Sequence, residues 1–226
     1  MIDEIDSLCT SRSEGESDSS RRIKTEFLVQ MDGVGSNQTG VLVLGATNVP
    51  WELDPAMRRR FDKRVYIALP EARARAKMFK LNVGDTPNNI TDEQYMAIAE
   101  KAEGYSGSDI SIAVREALME PLRKCQAAKQ FAPTKNGMLL PCEEYPNCPY
   151  CPIALSTSDP KTYSKVPCKK CGAIRIALYD IPTEKLQVPP VTYADFEKAL
   201  SRSRSSVATS ELERFVQWTA EFGQEG

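Results

Sequence analysis

Two kinds of apolar spacing run along this chain, and the change from one to the other divides it. Before Pro70 the apolar residues come in short unbroken runs, Val41-Leu42-Val43-Leu44-Gly45-Ala46-Thr47 and Arg64-Val65-Tyr66-Ile67-Ala68-Leu69. Runs of this length without alternation predict strands buried on both faces, as in a parallel sheet. Met1-Ile2 passes directly into Asp3, Glu4 and Asp6. That stretch reads as the end of a further strand whose beginning is missing, since a strand usually takes about five or six residues. Residues 8–20 are polar and predict a loop. The region of Ser20 then caps a helix in which Ile23, Phe27, Leu28, Met31 and Val34 recur at helical spacing. Gly33, Gly35, Asn37 and Gly40 end it.

From Glu71 the spacing becomes helical. Glu71–Val83 places Ala76, Phe79 and Val83 on one side. Thr91–Ala102 opens on Thr91 with Glu93 and Gln94, close to a capping pattern. Ser106-Gly107-Ser108-Asp109-Ile110 opens a third helix with Ile110, Val114, Ala117 and Leu118 on one face. Ten of the fifteen prolines lie within residues 133–190, which excludes a helix there. Two more helices are predicted at Tyr193–Leu200 and Glu211–Phe222. Strands first and helices after predict an α/β unit (1–69), a small helical domain (70–132), an insert (133–190) and C-terminal helices (191–226) that pack back on the small domain.

Composition narrows the chemistry. The 226 residues carry a net charge of −2, which gives no global argument for nucleic acid or an anionic membrane. No apolar run approaches the length of a membrane span. Histidine is absent, so carboxylates, cysteines and arginines supply the reactive groups. Seven cysteines, an odd count without a signal peptide, fit a reducing compartment.

Asp3 and Glu4 stand at one strand end, and Asn48 stands at another. The triplet Arg58-Arg59-Arg60 follows ten residues later. Ligands of doubly wound sheets bind at the carboxyl ends of the strands, so this set invites a phosphate, although an acidic terminus and a solvated basic turn would also produce it. Ile2-Asp3-Glu4-Ile5-Asp6, Gly45-Ala46-Thr47-Asn48, Leu53-Asp54-Pro55-Ala56 with Arg59-Arg60-Phe61-Asp62, and Gly104-Tyr105-Ser106-Gly107-Ser108-Asp109-Ile110 together resemble an AAA ATPase module. Glu14-Gly15-Glu16-Ser17, Asn48-Val49-Pro50-Trp51 and Glu221-Phe222-Gly223-Gln224-Glu225-Gly226 place the resemblance on the vacuolar sorting branch, which disassembles ESCRT-III polymers. It covers residues 1–131 densely and 190–226 more loosely.

The resemblance implies the second half of a P-loop large domain, followed by the small helical domain with a β-rich insert; the insert is expected to be zinc-ribbon-like on its own cysteines, given below. It implies ATP and Mg²⁺ as cofactors. Asp3 would act with Mg²⁺ and Glu4 would polarise the attacking water. Asn48 would sense the γ-phosphate, and Arg59 and Arg60 would be arginine fingers to a neighbouring subunit. Gly107 and Ser108 would line the adenine pocket, where ordinary helix capping is the competing explanation. The Glu14–Ser20 loop would face a translocating polypeptide. The expected partners are further copies in a hexameric ring, ESCRT-III subunits and an activator of the β insert, with cytoplasmic chains recruited to endosomal membranes through partners. A microtubule-severing relative and a non-catalytic zinc-bearing interaction module are the alternatives.

Two features depart from that family. The phosphate loop Gly-x-x-x-x-Gly-Lys-Ser/Thr does not occur in the sequence, so the chain by itself is expected neither to bind ATP well nor to hydrolyse it. The insert contains Cys148-Pro149-Tyr150-Cys151 and, sixteen residues on, Cys168-Lys169-Lys170-Cys171-Gly172. Paired Cys-x₂-Cys knuckles of this kind predict a closed, structural Zn²⁺ site, in which Cys142 could replace one ligand. Scattered free cysteines are the competing explanation.

Overall fold

The computed structural model describes residues 1–9, 18–31, 41–142 and 172–223. They belong to two compact units, residues 1–68 with 208–226 and residues 69–207.

In the first unit, α1 (Ile5–Cys9) and α2 (Asp18–Met31) pack with the segment that contains α3 (Pro55–Arg58). Ile5, Cys9, Leu53 and Met57 are buried at the centre, and Ile2, Phe27, Leu28, Met31 and Phe61 pack around them. Leu8 and Cys9, expected in a loop, close α1 instead, because the apolar pair Ile5 and Cys9 faces this core at helical spacing. The helix expected to be capped near Ser20 already begins at Asp18. Gly45 lies against the same core: a Cβ there would stand 2.9 Å from Ile5 Cδ1 and 3.3 Å from Phe61 Cζ.

Among the described residues, the two expected strands form no ladder. Residues 41–47 and 64–69 are extended or irregular backbone, and they leave Leu42, Val65 and Ile67 exposed. A parallel strand exists only through its neighbours. Among the described residues, the run at 41–47 finds one parallel bridge, Ile2 with Gly45. There Ile2 N donates to Leu44 O at 2.7 Å and Ala46 N donates to Ile2 O at 2.9 Å.

The C-terminal helix α8 (Thr209–Phe222) belongs to this first unit, not to the small helical domain as expected for residues 191–226. Aromatic packing accounts for the placement. Phe215 stacks on Tyr66 with ring centroids 5.7 Å apart and meets Trp51 at 5.1 Å. Arg214 covers the other contact of Trp51, its guanidinium 3.7 Å from the ring centroid.

The second unit is built on α4 (Ala72–Val83), α5 (Asp92–Lys101), α6 (Gly107–Ala127) and α7 (Tyr193–Arg202). Phe79, Ile98, Ile110, Val114 and Phe196 are fully or almost fully buried in one core. Phe79 and Phe196 meet edge to face at 5.9 Å. The start of α5 is set by a capping box: Thr91 Oγ1 accepts from Gln94 N while Gln94 Oε1 accepts from Thr91 N. Arg75 is buried, and its guanidinium donates to Ala99 O and Pro70 O at 2.9 and 2.7 Å. Two carbonyls, at the end of α5 and the start of the unit, are thereby satisfied by one side chain.

A polar seam joins α6 to α7. Glu120 is 1% exposed and its carboxylate meets Arg123 at 2.6 Å, Lys198 at 2.5 Å and Arg202 at 3.4 Å. Asp195, equally enclosed, accepts from the Thr192 backbone and hydroxyl and pairs with Lys124 at 2.7 Å. Burial pushes the Glu120 carboxyl up, but the hydrogen bonds and charges of Lys198 and Arg123 outweigh it and hold the group below the usual carboxylate range.

The insert is β-rich where it is described. β1 (Gln130–Pro133), β2 (Leu139–Pro141) and β3 (Ile174–Arg175) form an antiparallel sheet in the order β2-β1-β3, with Phe131 opposite both Pro141 and Ile174. The sheet starts within three residues of the end of α6, so the expected boundary at 133 falls inside β1.

Candidate functional site

The bridge between Ile2 and Gly45 decides the geometry of the first unit's site. Because it is parallel, the residues that follow each partner leave the pair at the same end. Asp3 and Glu4 follow Ile2, and Thr47 and Asn48 follow Gly45. The two tails are also tied directly, since the Thr47 hydroxyl donates to Asp6 Oδ1 at 2.5 Å and accepts from Val49 N at 3.0 Å. Ile5 N donates to Ala46 O at 3.0 Å. Carboxylates and a carboxamide therefore share one end of a parallel pair, the place where such sheets hold ligands.

Glu4 has φ of 49°, in the left-handed region. That conformation is uncommon for a residue with a Cβ and costs of order 1–3 kcal/mol where it is enforced. Here Asp3 Oδ1 accepts from Glu4 N at 3.0 Å and holds the turn. The start of α1 follows at once, with Ile5 fixed in the core. Asp3, Glu4 and Asn48 are all exposed to solvent. Exposed carboxylates at a strand end suit a hard cation held through its water shell, so the donor set fits Mg²⁺.

The arginines are presented by α3. Asp54 caps it, accepting from Ala56 N at 2.7 Å, with Pro55 at the first helical position. Met57 is buried and anchors the turn, and Asp54 N donates to Cys9 O at 2.9 Å to join it to α1. The triplet then diverges. Arg58 lies with its guanidinium 3.9 Å from the centroid of the Phe222 ring of α8. Arg60 is half-buried and donates from Nη1 to Ala56 O at 2.9 Å. Arg59 is exposed. Sequence alone treats Arg59 and Arg60 alike, whereas the structure separates them.

Gly107 and Ser108 belong to the second unit, at the first two positions of α6. The cap itself is made by their neighbours: Ser106 Oγ accepts from Asp109 N at 3.2 Å, and Asp109 Oδ2 accepts from Ser106 N at 2.9 Å. The capping explanation thus applies to Ser106 and Asp109. The first N–H groups of a helix have no intrahelical acceptor and attract anions. A Cβ on Gly107 would stand 3.1 Å from Met78 Cε, so the end of that side chain would have to shift. Burial pushes the Asp109 carboxyl up, but hydrogen bonds from Ser106 and Ser206 prevail and hold it below its usual range.

Cys148, Cys151, Cys168 and Cys171 lie outside the described residues, as does most of the Glu14–Ser20 loop. Among the described residues, no group of three or more Cys, Asp or Glu side chains is placed to hold a metal. Nor is any described helix long and apolar enough to cross a membrane. Spacing alone does not point to the Thr47 contact with Asp6, although both residues lie in the quoted motifs. The available signal is a hydroxyl that follows an apolar run, to be set beside an acidic strand end.

Comparison with known proteins matches three family models in chain order. Residues 1–69 match the ATPase family associated with various cellular activities (AAA), residues 92–133 the AAA+ lid domain, and residues 166–223 the Vps4 C terminal oligomerisation domain. The chain is 48% identical over 228 residues to vacuolar protein sorting-associated protein 4B of Mus musculus, covering all of this chain and 48% of that protein. It is 38% identical over 230 residues to a katanin p60 ATPase-containing protein of Otolemur garnettii, covering 99% of this chain and 38% of that protein. The crystal structure of the FIGL-1 AAA domain superposes with a TM-score of 0.67 at 34% identity, over 99% of this chain and 56% of that one. The chain thus spans about half the length of the curated relatives it matches. An AAA segment, a lid and a Vps4-type C-terminal segment in that order, with this identity along the whole length, make the chain a member of the AAA ATPase family on its Vps4 branch.

Proposed function

We propose that this chain is part of an ATP-hydrolysing ring that pulls on polypeptide, with ESCRT-III subunits at endosomal membranes as its substrate. The observation that carries the reading is the parallel bridge between Ile2 and Gly45, which gathers Asp3, Glu4 and Asn48 at one strand end. ATP with Mg²⁺, when bound, supplies the phosphoryl group and the charge that the site is arranged around. Asp3 orients the cation's water shell. Glu4 polarises the attacking water, and Asn48 donates to the terminal phosphate. Arg59, exposed at the end of a rigidly anchored turn, is the finger offered to a neighbouring copy, with Arg60 held closer to its own helix. Gly107 and Ser108 contact the base. Matching the model described as a Vps4 oligomerisation domain supports assembly into a ring, hexameric by the family resemblance. An activator would dock on the β insert.

The complete product of the gene is the material for the test. ATP turnover in it should fall by about 10³ or more in Glu4→Gln and in Arg59→Ala. Mixing the two variants should restore part of the turnover if the finger acts across subunits. Full turnover in Arg59→Ala would overturn the assignment. The microtubule-severing alternative is disfavoured by the β-rich insert and by 38% identity to the katanin relative against 48% to the Vps4 one. A non-catalytic module would show no turnover in the complete protein.

The same proposal extends to a structural Zn²⁺ held by Cys148, Cys151, Cys168 and Cys171. Its supports are the spacing and Gly172, whose φ of +70° gives the turn expected after a knuckle. Elemental analysis should find about one zinc per chain, released by Cys168→Ser. A metal-free protein with an unchanged fold would refute it.

A further inference from the structure

The chain passes from the second unit to the first through residues 203–208, between α7 and α8. This connection is a strap bonded along the start of α6. Ser203 Oγ and Tyr105 Oη share a hydrogen bond of 2.8 Å. Ser205 Oγ donates to Gly104 O at 2.8 Å and accepts from Val207 N at 3.2 Å. Ser206 N donates to Asp109 Oδ2 at 3.3 Å. Three successive contacts thus hold the strap to residues 104–109, the turn whose neighbours Gly107 and Ser108 are assigned to the nucleotide.

From the end of α7 into the strap the sequence reads Ser201-Arg202-Ser203-Arg204-Ser205-Ser206, two arginines and no acid. Ser205 is exposed, in irregular backbone, with arginines one and three residues before it. Of the other serines here, Ser201 lies in α7 with its hydroxyl on Lys198 O, and Ser203 is half-buried against Tyr105. Charge patterns on the N-terminal side of a serine are what arginine-directed protein kinases discriminate. We propose that Ser205 is a phosphorylation site for such a kinase and that its phosphorylation releases the strap from residues 104–109.

The chemistry follows from the hydrogen bonds. Ser205 Oγ attacks the γ-phosphorus of ATP held by the kinase. The new O–P bond forms as the bond to the bridging oxygen of ADP breaks, and the hydroxyl proton passes to the kinase's base. The ester oxygen has no hydrogen to give Gly104 O, so that bond is lost. The phosphate adds about −1.5 to −2 charge one residue from the Ser206 amide that Asp109 holds, and repels that carboxylate. The consequence for nucleotide binding rests on the assignment of Gly107 and Ser108. The phosphorylation and the release of the strap do not.

The test treats the whole 226-residue chain with ATP and the catalytic subunit of cyclic-AMP-dependent protein kinase, followed by site-resolved mass spectrometry and amide hydrogen exchange. A phosphoryl group on Ser205 is expected, absent in Ser205→Ala and incorporated at least about tenfold more slowly in Arg204→Ala. Exchange at residues 105–110 and 205–207 should quicken by about threefold to tenfold on phosphorylation. Phosphate on another serine, no phosphate at all, or unchanged exchange in the phosphorylated chain would each overturn the proposal. If exchange quickens but nucleotide affinity of the complete protein is unaltered, the nucleotide assignment of Gly107 and Ser108 fails and the strap stands.

Discussion

Replacing Glu120 by Gln should unlock α7 from α6. The side chain keeps its shape, so the change removes charge and little volume. Breaking a fully buried ion pair costs about 3–5 kcal/mol. Here only the carboxylate is enclosed: the side chains of Arg123, Lys198 and Arg202 are 40%, 49% and 60% exposed, so each cation keeps much of its hydration and regains the rest cheaply. Gln also retains one acceptor for them. The expected loss is therefore about 1–3 kcal/mol at neutral pH. For a chain of this size that lowers the melting temperature by about 3–10 °C. Position and probe can be separated, because both tryptophans, Trp51 and Trp218, lie in the other unit. Circular dichroism should show the early loss of helix while tryptophan fluorescence melts as before.

Acid provides the sharper check. The groups facing Glu120 are Arg123 on its own helix and Lys198 and Arg202 on α7, with Asp195 paired to Lys124 beside them. The folded state holds Glu120 below its ordinary pKa. Its contribution is thus complete above the unfolded value of about 4.3 and is lost as pH falls through the folded one. The gap between parent and Glu120→Gln should close below about pH 4. A gap under about 0.5 kcal/mol at pH 7, or one that persists unchanged in acid, would refute the account of the seam.

Three further outcomes test other joints. Gly45→Ala should destabilise the first unit by about 1–2 kcal/mol, since its Cβ meets Ile5 Cδ1 at 2.9 Å; the loss should register in tryptophan fluorescence. Thr91→Ala should cost about 1 kcal/mol and Thr91→Ser much less, because the hydroxyl caps α5, as thermal melts by circular dichroism would show. Arg59→Ala should leave stability within about 0.5 kcal/mol, while Arg60→Ala should lose more through its bond to Ala56 O; matched denaturant titrations compare them.

The helices of the second unit were legible because their signals are local. Thr91 with Gln94 and Ser106 with Asp109 each write a cap into four consecutive residues. Residues 41–47 and 64–69 show the opposite case. Their composition is that of strands, yet a strand is a property of its partners, and Ile2 alone bridges the first of them among the described residues. The home of α8 was equally hidden, since Phe215 could pack on any apolar surface and periodicity does not say which. At the candidate site, the motifs singled out Asp3, Glu4, Asn48, Arg59 and Arg60. The left-handed backbone at Glu4 and the differing exposure of Arg59 and Arg60 depend on packing and could not be read from spacing. The polar seam was invisible for the same reason: Glu120 looks like any surface glutamate until Lys198 and Arg202 are brought to it from far along the chain.

The division of the chain also orders its folding. Residues 69–207 form one continuous stretch of chain in which α4, α5 and α6 meet at short sequence separation, the kind of contact that assembles quickly. Residues 1–68 must wait for α8, which supplies Phe215 to Trp51 and Tyr66 and follows residues 69–207 in the chain. During synthesis the middle of the chain can therefore reach its native form while the first unit still shows Trp51, Tyr66 and the apolar run at 41–44 to chaperones. Loss of α8 would leave that waiting state permanent.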